Sequence, residues 1–355
     1  MEIYDLLHDL CMIEAFSHHE EKRALFCVDW FRENGIDAFI DEVGNVIVPY
    51  HMGDKKIPVF MAHLDTVFPS INQEYIDDGE RLFYPGVGDD TANVVILMLV
   101  IREIFKKNIP GSALFVLNVC EEGLGNLKGS KAIFEKYEHK ISMMVSFDCG
   151  LDSIVNEAVG STRYRLTIKT EGGHSYSNFG NKNAINEMAK IITEIYSIKP
   201  SLGTTYNVGV IEGGNSINSI SEECSILFEA RSNNQAELEN INNILNSIIE
   251  KCPCEKKIEL LGKRPGMGNV SLMELKELTE RARECIFRHT KKEPVICAGS
   301  TDCNIPLALG IPAVCFGGII GGMEHTKEEW IDKKSILDGY DTILDFVINE
   351  INRFS

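Results

Sequence analysis

Three nearly continuous apolar runs constrain this chain most: IPVFMA, ALFVLNV and ISMMVSF, each followed within a few residues by acidic or imidazole side chains. Short runs of this kind, bounded by turn signals, read as strands buried on both faces of a parallel sheet. Loops that follow such strands are where open α/β sheets place ligands. His63 and Asp65 follow the first run in MAHLDTV, Glu121 and Glu122 the second in LNVCEEGLG, and Asp148 the third in MMVSFDCG. Asp89 and Asp90 lie in a Gly-bounded turn, GVGDDTAN, and His325 lies in GMEHT.

Periodicity along the rest of the chain supplies an architecture. Ser17 followed by Glu20 has the spacing of a capping box, which predicts a helix that closes near Gly35. NVIVPY and IPVFMA read as strands, Thr91 to Lys107 as a helix, SALFVLNV as a strand, the segment near Lys131 as a short helix and ISMMVSF as a strand. That alternation predicts an α/β fold with a mostly parallel sheet flanked by helices. From about Ser161 the grammar changes to strand, helix (Asn183 to Tyr196), two strands, helix (Gln235 to Glu250) and strand, the order of a ferredoxin-like α+β domain. After Pro265-Gly266 the first pattern resumes, with helices from Ser271 to His289 and Lys334 to Arg353 around the strands PVICA and IPAVCF. The expected organisation is therefore a catalytic domain in two parts, 1–160 and 265–355, interrupted by an inserted domain at 161–264.

Charge narrows the partners. With 35 Lys+Arg against 53 Asp+Glu the formal charge is −18, a field that repels nucleic-acid backbones. No basic N-terminus leads into an apolar stretch, and the longest apolar run, VVILMLVI, is eight residues, too short to span a bilayer. Eleven scattered cysteines, an odd number, read as reduced thiols of a cytoplasmic protein. Cys252-Pro-Cys254 has neither a second pair nor a nearby His to complete a metal site.

Any one of these carboxylates alone reads as a helix cap or a solvated turn residue. Together they do not, because paired acids directly after buried strands repel one another unless a cation or a proton sits among them. Imidazole and carboxylate without thiolate suit zinc, with cobalt or manganese as substitutes. The set is too large for one tetrahedral ion and suits two ions sharing a carboxylate and a water, about 3.5 to 4 Å apart.

With those motifs in hand, the chain resembles the co-catalytic zinc exopeptidases and amidohydrolases, a family that includes peptidase T, carboxypeptidase G, acetylornithine deacetylase and succinyl-diaminopimelate desuccinylase. The resemblance runs nearly the whole length through HLD, GVGDD, EEG, FD, GGHS, GGNSINSI, an Arg at a strand end, GSTD and EHT. It implies that His63 and His325 ligate one zinc each, that Asp89 bridges, and that Glu122 and Asp148 are terminal ligands. It assigns Asp65 the task of orienting His63, and Glu121 that of general base. His174 resembles an oxyanion-stabilising histidine, often contributed across a dimer. Asn218 and Arg231 resemble substrate-carboxylate binders, and Gly299, Ser300 and Asp302 the pocket lining, with Asp302 equally suited to cap a helix. Where relatives commonly have a lysine after the acid pair, this chain has Thr91, which leaves open whether Asp89 or Asp90 bridges.

The resemblance further implies a homodimer formed through the inserted lid domain and two Zn²⁺ per active site. The GSTD turn and Asp148 lean toward the peptidase T-like branch, hence hydrolysis of short peptides. An N-acyl-amino-acid deacylase is the rival within the same chemistry. A catalytically silent binding or dimerisation protein is the remote alternative, and it predicts missing site residues where none is missing.

Overall fold

The computed structural model describes residues 2–69 and 72–354. Two compact units divide the chain: one runs up to Ala158 and resumes at Gly268, and the other is Val159–Met267.

The first unit is built on an eight-stranded sheet in the order Phe39–Ile40, Val46–Tyr50, Ala113–Asn118, Ile57–His63, Ile141–Ser146, Ala313–Cys315, Ser153–Ala158, Val295–Gly299. Its middle is parallel: Ile57–His63 pairs in parallel with Ala113–Asn118 on one side and Ile141–Ser146 on the other. Every residue of Ile57–His63 and of Ala113–Asn118 is buried, because helices cover both faces. Register then sets the site. His63 stands opposite Asn118, and Met61 opposite Ser146, so three neighbouring strands end at one edge and release the loops bearing Asp65, Glu121, Glu122 and Asp148 together.

Three features depart from the periodic reading. Strand Ser153–Ala158 lies inside the sheet, yet its sequence, SIVNEA, mixes polar and apolar residues with no clean period. A second sheet is assembled from the very short strands Ile76–Asp77, Arg81–Phe83, Gly321–Gly322 and Trp330–Asp332, which lay the segment after His325 beside the segment before Asp89. The capping box does not form. Helix Glu21–Glu33 begins without a side-chain cap. Ser17 Oγ donates instead to Asp65 Oδ2 (2.6 Å), and Glu20 Oε1 accepts from the main-chain N–H of His18 (3.1 Å) and Cys120 (3.0 Å). Long-range acceptors and donors outcompeted the local pairing.

The second unit is a four-stranded antiparallel sheet in the order Thr204–Gly213, Glu223–Ser232, Gly160–Lys169, Glu255–Arg264, with helices Ala184–Ile195 and Gln235–Glu250 against it. Along Glu223–Ser232 buried residues alternate with half-buried or exposed ones, so Cys224, Ile226, Phe228 and Ala230 join Leu166, Ile168, Met188 and Leu245 in one core. The helices are capped by Asn183 and Asn234, whose side chains accept from the first-turn N–H groups. Thr204–Gly213 is an outer strand and mostly exposed. All eleven cysteines are free thiols. No helix among the described residues is long and apolar enough to cross a membrane.

Candidate active site

Asp89 lies between two imidazoles. Its Oδ1 is 3.0 Å from His63 Nε2 and its Oδ2 is 2.9 Å from His325 Nε2. His325 Nε2 is also 3.0 Å from Glu122 Oε1. Potential ligand atoms of His63, Asp89 and Asp148 lie within 4.8 Å of one another, as do those of His63, Glu121 and Glu122. Residues spread from 63 to 325 are thus gathered at the carboxyl edge of the sheet. A cavity of about 220 Å³ opens beside Asp89 and Asp148, lined also by Gly88, Gly150, Asp152 and Ile319.

Asp90, the other member of the acid pair, has a different place. It is fully buried, accepts from His63 N (3.0 Å) and Asn93 Nδ2 (2.7 Å), and so braces the loops from beneath. The Asp89–Asp90 peptide bond is cis. Asp65 is equally buried, and its carboxylate accepts from Glu121 N (2.9 Å), Glu122 N (3.0 Å) and Ser17 Oγ (2.6 Å). The near contact of His63 Nδ1 is the main-chain carbonyl of Asp65 at 3.0 Å, with the Asp65 carboxylate 3.5 Å away. Both contacts leave Nε2 as the nitrogen facing Asp89.

Backbone geometry singles out the same loops. Cys120, Cys149 and His325 have φ of 59°, 64° and 61°, a left-handed conformation uncommon outside glycine. Each is a candidate ligand or adjoins one, and such backbone persists where surroundings over-determine it.

Electrostatics reveal the crowding. Burial together with the neighbouring Asp89 charge pushes Glu122 up to about 8 and Asp148 up to about 7. Asp89 is held below the usual carboxylate range: burial opposes this, but its bonds to His325 and His63 outweigh burial. His325 rises to about 11 through Asp89 and Glu122. His63 is also raised, since the Asp90, Asp65 and Asp89 charges overcome a burial that acts the other way. Without a cation, the cluster must hold protons to relieve repulsion among its carboxylates. A divalent ion meets the same need, and two imidazoles with several carboxylates form a fitting donor set for two.

The remaining sequence candidates are dispersed. His174 and Asn218 are adjacent in the second unit: His174 pairs with Ser219 in a short antiparallel ladder, and Ser175 N donates to Asn218 O (3.0 Å). His174 is exposed, and its Nδ1 accepts from Tyr176 N (3.2 Å) and Ser177 N (3.3 Å), which leaves Nε2 available as a donor. Gly172 and Gly173 hold φ of 64° and 131°, and a Cβ on Gly172 would meet Glu222 Cγ at 2.1 Å, so this turn requires glycine. Arg231 is bound by Glu229 at 2.8 and 3.2 Å, a partner that spacing did not reveal. Gly299 and Ser300 are half-buried at a strand end. Asp302 is fully buried and accepts from Asn118 Nδ2 (2.6 Å). The helix that follows, Asn304–Ala308, begins without a side-chain cap.

An α/β sheet, parallel at its centre, that gathers imidazoles and carboxylates at its carboxyl edge, with a ferredoxin-like unit in mid-chain, defines a hydrolase of the metallopeptidase and amidohydrolase class. The model of Peptidase family M20/M25/M40 matches residues 59–349, and the chain belongs to that family. Among curated relatives, the uncharacterized protein YqjE of Bacillus subtilis is 24% identical over 90% of this chain and 91% of its own length. The [LysW]-lysine/[LysW]-ornithine hydrolase of Saccharolobus solfataricus is 24% identical over 96% and 93%. Among solved structures, a tripeptidase from Staphylococcus aureus superposes with a TM-score of 0.77 at 22% identity, covering 99% of this chain and 98% of its own. Aminopeptidase PepT from Bacillus cereus gives 0.75 at 20% identity with the same coverage. YXEP of Bacillus subtilis, described as a dinuclear metal-binding peptidase, gives 0.68 at 14% identity over 99% and 98%.

Proposed function

We propose that this protein hydrolyses amide bonds of short peptides as an exopeptidase. The observation that carries the reading is the Asp89 carboxylate placed between the imidazoles of His63 and His325. His63, Asp89 and Asp148 would hold one divalent ion and His325, Asp89 and Glu122 the other; zinc fits this donor set, with cobalt or manganese as substitutes. When bound, the ions supply Lewis acidity and lower the pKa of water toward about 7. Glu121 is buried beside this cluster and is the group proposed to take the proton of the attacking water and return it to the leaving amine. His174 is the proposed oxyanion donor, since the bonds at Nδ1 leave Nε2 free to donate. Asn218 and Arg231 would hold the substrate's carboxylate, Arg231 with its guanidinium oriented by Glu229. Gly299, Ser300 and Asp302 are proposed to line the substrate pocket.

The inserted unit, residues 161–264 in the sequence reading, is proposed as a lid and as the contact between two copies. Its outer strand Thr204–Gly213 offers an unpaired edge among the described residues. The free thiols support a reducing, cytoplasmic setting.

A deacylase of N-acyl amino acids is the second reading, and the curated relatives include hydrolases named for [LysW]-lysine and [LysW]-ornithine. A panel of dipeptides, tripeptides and N-acetyl amino acids, assayed with and without a chelator, tests the proposal. Release of free amino acids from peptides, abolished by chelation and restored by Zn²⁺, Co²⁺ or Mn²⁺, is expected. Turnover of acetylated substrates alone ends the peptidase reading.

A further inference from the structure

Glu329 is a carboxylate with no solvent, 1% exposed, four residues beyond His325. Its hydrogen bonds run to the main chain of the turn that carries Asp89: Gly86 N to Oε2 (2.6 Å), Gly88 N to Oε1 (2.7 Å) and Asp89 N to Oε1 (2.9 Å). Its own carbonyl accepts from Tyr84 N (3.1 Å), and the next residues, Trp330–Asp332, pair with Arg81–Phe83. One residue therefore grips the segment 84–89 by side chain and main chain at once.

The turn needs such a grip. Asp89 at φ −112°, ψ 90° and Asp90 at φ −127°, ψ 17° depart from helical geometry just before helix Ala92–Lys107, so the ladder of that helix does not order them. Buried donors in such a turn must find acceptors elsewhere. Glu329 supplies them from the segment that also presents His325. The glycines of GVGDD belong to the same fit: a Cβ on Gly86 would lie 2.6 Å from Thr66 Cγ2, and one on Gly88 would lie 3.0 Å from Ile331 Cγ2 and 3.3 Å from Glu329 Oε1.

We propose that Glu329 is the positioning residue that locks the Asp89 turn to the His325 segment, so that one oxygen of Asp89 faces each imidazole. It touches neither substrate nor metal; it acts through Asp89. The inference rests on the two-metal reading above and adds the element that keeps the shared carboxylate shared. A glutamine here presents an NH₂ to one of the two N–H-facing positions, setting donor against donor while preserving shape.

The test uses metal-free wild type, Glu329→Gln and Gly88→Ala, titrated with Co²⁺ in equilibrium dialysis and followed by the visible absorption of the bound ion. Thermal unfolding of the metal-free proteins and steady-state kinetics on a peptide turned over by the wild type accompany it. Wild type is expected to take up two Co²⁺. Both variants are expected to unfold cooperatively, to hold the second Co²⁺ about 10- to 100-fold more weakly with an altered spectrum, and to lose kcat by a similar factor with KM nearly unchanged. A merely structural Glu329 lowers the unfolding temperature and leaves Co²⁺ affinity and spectrum untouched, which overturns the proposal. If Glu329→Gln does not fold, Gly88→Ala decides by the same criteria. Wild type that binds no second ion sinks the two-metal reading itself, a different failure from variants that bind both ions normally.

Discussion

Asp65 shows how much one buried side chain can organise. Its oxygens take the N–H groups of Glu121 and Glu122 and the hydroxyl of Ser17, and its carbonyl takes His63 Nδ1. Replacing it by asparagine keeps the carbonyl and loses the charge, so His63 stays oriented while the Glu121–Glu122 loop loosens. A fall of about 10- to 100-fold in turnover is expected, and unchanged kinetics in Asp65→Asn would take this role from it. Glu121→Gln tests the chemistry directly. Metal content should be retained, measured by atomic absorption, while kcat falls roughly 10²- to 10⁴-fold; a near-normal rate removes Glu121 as general base. At this scale the sequence was most legible for the clustered imidazole and carboxylates, since His63, Glu121, Glu122 and Asp148 follow recognisable strands. Glu329 was invisible: a glutamate in an acidic turn, EHTKEEW, resembles a solvated residue until the fold brings Gly86 and Gly88 to it.

Helices Leu272–Thr290 and Ser335–Arg353 are joined through ion pairs at unequal depth. Arg281 makes two bonds, 2.6 and 3.0 Å, to Glu350, which is buried. Arg281→Ala leaves that carboxylate short of donors, and chemical denaturation should show a loss of about 1–3 kcal/mol. Asp345 accepts from Arg288 (2.5 Å) and His289 (3.1 Å). Burial opposes ionisation, but the two bonds prevail and hold Asp345 below its ordinary 3.8. A depressed folded-state value gives stability that is fully present above the unfolded value and is lost as pH falls through the folded one. Asp345→Asn is therefore expected to reduce the thermal stability near neutrality and to flatten its decline below about pH 4; identical pH profiles for both proteins would contradict this. Helix Gln235–Glu250 offers a simpler check, because Asn234 accepts from Ala236 N (2.9 Å) and Glu237 N (3.1 Å). Asn234→Ala should cost about 1 kcal/mol. Element boundaries of this sort were readable because caps and periods are local. Ser17 and Glu20 were misread for the converse reason, their partners lying at Asp65 and Cys120.

At the scale of the whole molecule the chain folds into two units. If His174 serves the active site of a second copy, mixing two inactive proteins, His174→Ala and Glu121→Gln, should regenerate one intact site in each mixed dimer. Random exchange then gives up to about a quarter of wild-type activity. No recovery after verified exchange places His174 within its own subunit or outside catalysis. If the proposed dimer forms through the exposed outer strand, Ile211→Lys is expected to shift the mass toward monomer in light scattering, since a charge on an edge strand blocks pairing. An unchanged mass overturns the proposal that this edge joins two copies.

The amino-acid sequence alone determined the apolar central strands, most helices, the mid-chain change of grammar and the residue types of the site, because burial period, caps and turn chemistry act over a few neighbours. It favoured Asp89 over Asp90 as the shared carboxylate without settling the choice. Tertiary structure separated them: His63 N and Asn93 take Asp90 into the interior, while Glu329 holds the turn so that Asp89 meets His63 and His325. It also assigned Ser17 to Asp65, Arg231 to Glu229 and Asp302 to Asn118. Each of those partnerships joins atoms whose distance is set by sheet register and loop packing, quantities that no short stretch of residues encodes.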